Sequence, residues 1–268
     1  MTAGSTDEVR IGILGWGAIG RTVGLALADG EVAGARLVAA ADHRDRDDCP
    51  VPLVEPADLA DDVDLVIEAA GQRALASRGE AYLRAGCHLL VVSVGALVDQ
   101  DLFERLRTAG GDRLHLTTGA IGGLDLLRAA RRAGPLDSVT LTTTKAPSSL
   151  VQFWMDDDLR AKLLAGRQRL TAFTGPASAA VLRFPQSVNV AATLALAVGS
   201  WDLVEVRVVA DPAADVNRHE IEATGVAGRY HFTIENHPSP DNPKTSGIVP
   251  HAVLQNVAEL VTALSGRA

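Results

Sequence analysis

The chain has 268 residues, enough for one large or two modest domains with a substantial core. Hydrophobic residues make up 47% and charged residues 22%, with a net charge of −8; this is an ordinary soluble composition and argues against nucleic acid or an anionic membrane as a partner. No apolar run reaches transmembrane length, the opening MTAGSTDEVR is unlike a leader, and Cys49 and Cys87 have neither disulfide-framework nor metal-ligand spacing, so a cytoplasmic protein without a metal is expected.

The first predicted strand, Val9 to Leu14, runs into Gly15-Trp16-Gly17-Ala18-Ile19-Gly20 and then a helix. Gly15 permits a tight strand-to-helix turn, Gly17 lets a pyrophosphate approach the backbone, and Gly20 lets helix and strand pack closely. The helix start offers N–H groups and a positive dipole end to phosphates. A second apolar run ends at Asp42, about 20 residues beyond the last glycine, where a carboxylate can hold a ribose hydroxyl. Asp42 favours NAD by repelling a 2′-phosphate, whereas His43, Arg44 and Arg46 favour accepting one. A loop, a short helix over Pro56 to Ala60 and a strand after Asp64 follow. Next come a helix over Gln72 to Ala85, a strand from His88, a helix over Asp99 to Ala109 and a strand over Arg113 to Thr118. Alternating strands and helices predict an α/β, Rossmann-type, doubly wound parallel sheet with ligand at the carboxyl ends of its strands. At two such ends, Glu68 to Gly71 with Ala70 and Ser93 to Gly95, small residues allow a cofactor close to the backbone, although each also reads as a routine turn.

Thr118 to Asp125 is glycine-rich and opens a helix that closes at Gly134-Pro135. From Ser138 the pattern changes to an alternating β run through Lys145, and a charged helix is expected over Asp156 to Arg169. Helices over Gly175 to Arg183 and Ser187 to Val198 come next, the second apolar enough to be buried. Three β runs, Leu203 to Ala210, Asn217 to Thr224 and Tyr230 to Glu235, predict an antiparallel or mixed sheet. Pro250 to Ser265 reads as a last amphipathic helix. The expected domains are residues 1–119, joined by the C-terminal helix within 247–268, and a second α/β catalytic domain over 120–246.

Only three of the 25 basic residues are lysines: Lys145, Lys162 and Lys244. A lysine offers a compact ammonium with a tunable pKa where arginine offers a fixed fork. Lys244-Thr245-Ser246 reads either as helix capping or as a cation with two hydroxyls for a carboxylate. Among seven histidines, His88 and His115 begin strands and read as structural. His219, at a strand start among polar neighbours, reads equally as a surface histidine or as a proton-transfer group facing a cleft, and His237 lies in a proline-rich loop. Asn189 is polar within an apolar helix and needs a partner if buried, either a ligand or an internal hydrogen bond.

Seven segments, in order, carry a family resemblance: Gly15 to Gly20, Ser93 to Leu97, Thr118 to Asp125, Thr144 to Pro147, Phe184 to Ala191, Asn217 to Ile221 and Glu235 to Ser246. Together they resemble the L-aspartate dehydrogenase family over nearly the whole chain. The resemblance implies interconversion of L-aspartate with iminoaspartate, or oxaloacetate and ammonia, using NAD or NADP and feeding pyridine-nucleotide synthesis. It places His219 on the family's catalytic histidine and Ala120 and Asn189 on cofactor-contacting positions, and it implies a homodimer formed through the second domain. Thr144 stands where the pattern has a basic residue, and Pro250 and His251 where small residues are usual.

The expected chemistry is hydride transfer between Cα and the nicotinamide in a cleft between two lobes. His219, with an unperturbed pKa of about 6.5, moves protons to and from the amine and the attacking water, and Lys145, Lys244, Thr245 and Ser246 bind the two carboxylates. The alternatives are a dehydrogenase for another amino-acid-derived substrate and a non-catalytic dinucleotide sensor.

Overall fold

A computed structural model describes residues 8–185 and 189–265. Residues 1–7 of the opening segment, the expected helix start at Ser187 with its neighbours 186 and 188, and residues 266–268 lie outside the described residues. The chain divides into two compact units, Met1–Thr117 with Pro250–Ala268, and Thr118–Val249. Among the described residues no helix is long and apolar enough to cross a membrane, and no group of three or more metal-ligating side chains occurs.

In the first unit β1 (Val9–Leu14), β2 (Ala35–Ala41), β3 (Leu65–Glu68), β4 (His88–Val91) and β5 (Leu114–Leu116) form a parallel sheet in the order β2-β1-β3-β4-β5. Every residue of β3 is buried, as a parallel strand covered on both faces requires. The chain moves from β1 to one side for β2 and to the other for β3. The carboxyl ends of β1 and β3 therefore make the switch point where ligands of open α/β sheets bind. Helices α1 (Ala18–Ala28), α2 (Gln72–Arg84) and α3 (Gln100–Gly110) connect the strands. Asp99 caps α3, its side chain accepting from the Leu102 amide at 3.0 Å.

The expected helix over Pro56 to Ala60 is instead a pair of successive turns, Asp58 N–H to Glu55 O and Asp61 N–H to Asp58 O. An acidic run this short cannot nucleate a helix, and the turns lodge Leu59, fully buried, against Gly12 of β1. The expected strand from Arg113 to Thr118 contracts to β5.

In the second unit β6 (Leu136–Lys145), β7 (Leu170–Pro176), β8 (Val204–Ala210), β9 (Asn217–Gly225) and β10 (Gly228–Asn236) form a mixed sheet in the order β10-β9-β6-β8-β7. Only β6 and β8 are parallel. Helices α4 (Leu124–Ala133), α5 (Asp157–Ala165), α6 (Ala177–Arg183) and α7 (Asn189–Val198) complete it, α7 being almost wholly buried. The expected charged helix ends early, because Gly166 takes the left-handed conformation (φ 55°) after α5. Sequence reading misses β7, whose alternation is cut short by Gly175-Pro176; an edge position tolerates that proline. In β9, Asn217, His219, Ile221 and Ala223 are buried while Arg218 and Glu222 are exposed. This alternation puts the histidine on the covered face.

The last helix, α8 (Val249–Ser265), presents Val253, Val257 and Val261 as one buried stripe of the first unit. Gly34 passes so close beneath it that a Cβ there would sit 3.1 Å from Val261.

Candidate active site

In the first unit the turn after β1 is built almost entirely of backbone. Gly15 has φ 98°, and a Cβ on it would lie 2.6 Å from Ala70 Cα, at the joined ends of β1 and β3. A Cβ on Gly20 would lie 1.9 Å from the Gly15 carbonyl oxygen, so only glycine fits. Gly17 differs: nothing lies within 4 Å of where its Cβ would be. It is the N-cap of α1 and makes no side-chain cap. The N–H groups of Ala18, Ile19 and Gly20 have no acceptor within the helix and open onto that space. An open cradle at an uncapped helix start fits a dinucleotide pyrophosphate.

Trp16 fills the other side of the turn. Its ring is buried against Gly24, and its Nε1–H donates to Asp48 Oδ1 at 3.2 Å. Asp42 is turned back onto the turn: its carboxylate accepts from the Trp16 amide at 2.7 Å, the Arg44 amide at 3.0 Å and Arg46 Nη2 at 3.2 Å. Burial works to raise its pKa, but these hydrogen bonds outweigh burial and hold it below the usual carboxylate value. Arg44 and Arg46 thus stand beside the proposed ribose acid.

Sequence reading names Glu68 only as the start of a strand end and misses what its carboxylate does. This fully buried carboxylate ends β3 and accepts from the Ala70 amide at 3.0 Å, the Gly71 amide at 2.9 Å, and the Ser93 amide and hydroxyl at 3.0 and 2.9 Å. Burial raises its pKa against the pull of those bonds. Ala70 and Ser93 therefore turn their donors inward to Glu68 and leave only backbone surface at these strand ends. The only advance signal was an acid at the end of an otherwise apolar strand.

In the second unit the register of β6 against β9 sets Thr143 opposite His219. Two residues along each strand, Lys145 and Asn217 fall on the same face. All four are at most 2% exposed. Thr143 Oγ1 and His219 Nδ1 are 3.1 Å apart. The Lys145 ammonium donates to the Lys244 carbonyl oxygen at 2.8 Å, and Asn217 Nδ2 donates to Ser246 Oγ at 3.2 Å. The turn before α8 is thereby tied to the sheet face. Thr245 lies in that turn with its hydroxyl accepting from Asn242 Nδ2 at 3.2 Å.

His219 is not the exposed, near-neutral imidazole that its neighbours suggested. Burial, reinforced by the positive charge of Lys145, lowers its pKa to about 3. Burial alone lowers Lys145 to about 8. The strand alternation could have foretold the burial of His219, but its nearness to Lys145 depends on strands more than seventy residues apart in the chain. His237 is exposed and contributes a backbone carbonyl to the Gly247 amide. His88 and His115 stack with their nitrogens 3.0 Å apart, and burial lowers His115 to about 4, as suits a structural pair.

The two cofactor-contacting positions that the family resemblance implies differ in their surroundings. The Ala120 carbonyl accepts from Asn236 Nδ2 at 3.0 Å, and Asn236 pairs with Asn217 in the sheet. Asn189, at the start of α7, has its Oδ1 buried with no hydrogen-bond partner among the described residues. A buried amide oxygen without a partner is costly and fits a group that a ligand completes.

A family model described as "Aspartate dehydrogenase, C-terminal" matches residues 125–260, and one described as "Homoserine dehydrogenase, NAD binding domain" matches residues 15–113. The chain is 36% identical over 267 residues to an L-aspartate dehydrogenase of Methanosarcina mazei, covering 94% of this chain and 97% of that protein. It is 38% identical over 264 residues to L-aspartate dehydrogenase 2 of Bordetella pertussis, covering 92% and 95%. The crystal structure of an aspartate dehydrogenase from Thermotoga maritima superposes with a TM-score of 0.73 at 27% identity, over 94% of this chain and 97% of that one. A scyllo-inositol dehydrogenase from Lactobacillus casei, with a TM-score of 0.59 and 15% identity, shares the fold alone.

Proposed function

The chain belongs to the L-aspartate dehydrogenase family, and from that premise we propose that it oxidises L-aspartate to iminoaspartate, which water converts to oxaloacetate and ammonia, or runs the reverse amination. It is an oxidoreductase with a nicotinamide dinucleotide as its hydride carrier. The observation that carries the reading is the buried polar face of the second unit. There a lysine and a histidine share a water-poor site, and no described carboxylate pairs with either. An anionic substrate fits a face that brings no described negative charge of its own.

A bound nicotinamide would supply the acceptor for the hydride that leaves Cα. The rest is the work of this chain's residues. The amides of Ala18, Ile19 and Gly20 hold the pyrophosphate, and Asp42, Arg44 and Arg46 meet the adenosine ribose or its 2′-phosphate. His219, its ring fixed through Nδ1 by Thr143, offers Nε2 to the substrate nitrogen or to the water that adds at the imine carbon. Lys244, Thr245 and Ser246 bind carboxylate oxygens from a turn braced by Asn217 and Asn242.

The test is turnover with aspartate, and with oxaloacetate plus ammonia, using NAD(H) and NADP(H) in turn. His219→Ala should lower kcat by about a hundredfold or more in both directions and leave nucleotide dissociation constants unchanged. Wild-type kcat in that variant would remove His219 from the chemistry, and no turnover of either substrate by the wild type would remove the reading itself.

A further inference from the structure

Amine oxidation needs a base. The α-ammonium of aspartate has no lone pair until it gives up a proton, and without one the nitrogen cannot form the double bond that follows hydride loss. His219 is poorly suited to that task, because burial, and after it the charge of Lys145, disfavours its protonated form. Resting on the aspartate reading, we propose that Lys145 is the proton-transfer residue of this site. Its neutral amine takes the proton from the substrate ammonium, and in the amination direction the resulting ammonium returns it.

The surroundings of Lys145 support this role over that of a fixed cation. On β8 it faces Ala210 in register, next to Val208. On β9 its face carries Asn217 and His219, and the turn before α8 offers the Lys244 carbonyl and the Ser246 hydroxyl. These contacting groups are neutral; Asp211, whose amide donates to the Lys145 carbonyl, pairs its carboxylate with Arg169, Lys244 beside it is itself basic, and among the described residues no carboxylate pairs with the Lys145 amine. A permanent charge here would lack the counter-ion that buried ions require. Burial instead brings the lysine down to about 8, while the neighbouring imidazole falls to about 3. Two groups whose pKa values are driven apart by a shared environment divide the roles between them. Lys145 exchanges the proton; His219 remains the neutral hydrogen-bonding partner that orients the nitrogen. The residue type fits as well: a chain with 25 basic residues and only three lysines retains one where a guanidinium could never deprotonate.

The step balances. Lys145 Nζ gains the proton, the nitrogen gains a lone pair, Cα gives up hydride to the acceptor that a bound nicotinamide would supply, and that lone pair becomes the second bond of the protonated imine.

Lys145→Ala, Lys145→Arg and Lys145→Met are assayed for aspartate oxidation across pH, with exogenous ethylamine as a rescue agent. Nucleotide dissociation constants, measured by calorimetry, serve as the folding control. The wild type should show an ionisation near 8 in kcat/KM that is absent from all three variants. Each variant should lose about a hundredfold or more in kcat with little change in aspartate KM. Ethylamine should restore part of the activity of Lys145→Ala in proportion to its unprotonated form. A carboxylate anchor would behave differently: Lys145→Arg would keep its kcat, and Lys145→Ala would raise KM alone and resist rescue. That pattern overturns the proposal. A wild type inactive on aspartate instead sinks the functional reading beneath it, so the two failures are distinguishable.

Discussion

Gly15, Gly17 and Gly20 keep side chains out of the turn after β1, whereas Thr143, Lys145, Asn217 and His219 bring side chains in where water is excluded. The first needs only backbone amides and room, and a few consecutive residues provide both. The second needs two strands in correct register and burial deep enough to move ionisation constants. Tight geometry is the vulnerability of the turn, and desolvation is that of the cluster.

The sharpest way to break this contrast is Gly20→Ala. Its new Cβ meets backbone, the Gly15 oxygen at 1.9 Å, and nothing flexible can yield. We expect a loss of about 4 kcal/mol or more in denaturant unfolding, together with loss of nucleotide binding. A variant of wild-type stability would show that the turn is looser than the geometry says.

The two regions also differ in how far they could be read in advance. The glycine spacing, the strand before it, the helix after it and the acid at the next strand end are local, so one window of sequence holds the whole device. The parallel sheet was legible for the same reason, through alternation of apolar runs and helical periods. The polar cluster was only half legible. Lys145 and His219 stood out by type, yet their mutual effect depends on the pairing of β6 with β9, which no local pattern records. The role of the Glu68 carboxylate escaped notice because it lies in four donors from two separate loops. The edge strand β7 and the turns around Leu59 were missed where proline and short acidic runs blur the local signal.

The next largest effect concerns the cluster and has the opposite sign. At pH 7 Lys145 is protonated in both folded and unfolded chains, and its pKa of about 8 rather than 10.5 means that the folded state carries the cost. Lys145→Met should therefore raise stability by up to about 3 kcal/mol at neutral pH while abolishing turnover. As pH rises from 8 towards 10.5, the folded lysine sheds its proton before the unfolded one does, so the penalty fades. The advantage of methionine should shrink over that window in chemical denaturation series. Equal stability of the two proteins at pH 7 would mean that the amine is better solvated than its burial indicates.

The smallest effect sharpens the comparison within the turn itself. Gly17→Ala meets nothing within 4 Å and should leave stability within about 1 kcal/mol of wild type. Its methyl occupies the phosphate approach, so calorimetry should find nucleotide affinity down by about tenfold, or about 1.4 kcal/mol. Unchanged affinity would place the pyrophosphate elsewhere.

The return of α8 to the first unit has a consequence for biosynthesis. Translation makes the glycine turn and all five strands of that unit early, but the wall containing Val253, Val257 and Val261 comes only after the whole second unit has been made. A growing polypeptide on the ribosome thus holds an unfinished nucleotide domain while its successor folds. The last helix to emerge is the one that seals the first half to be built.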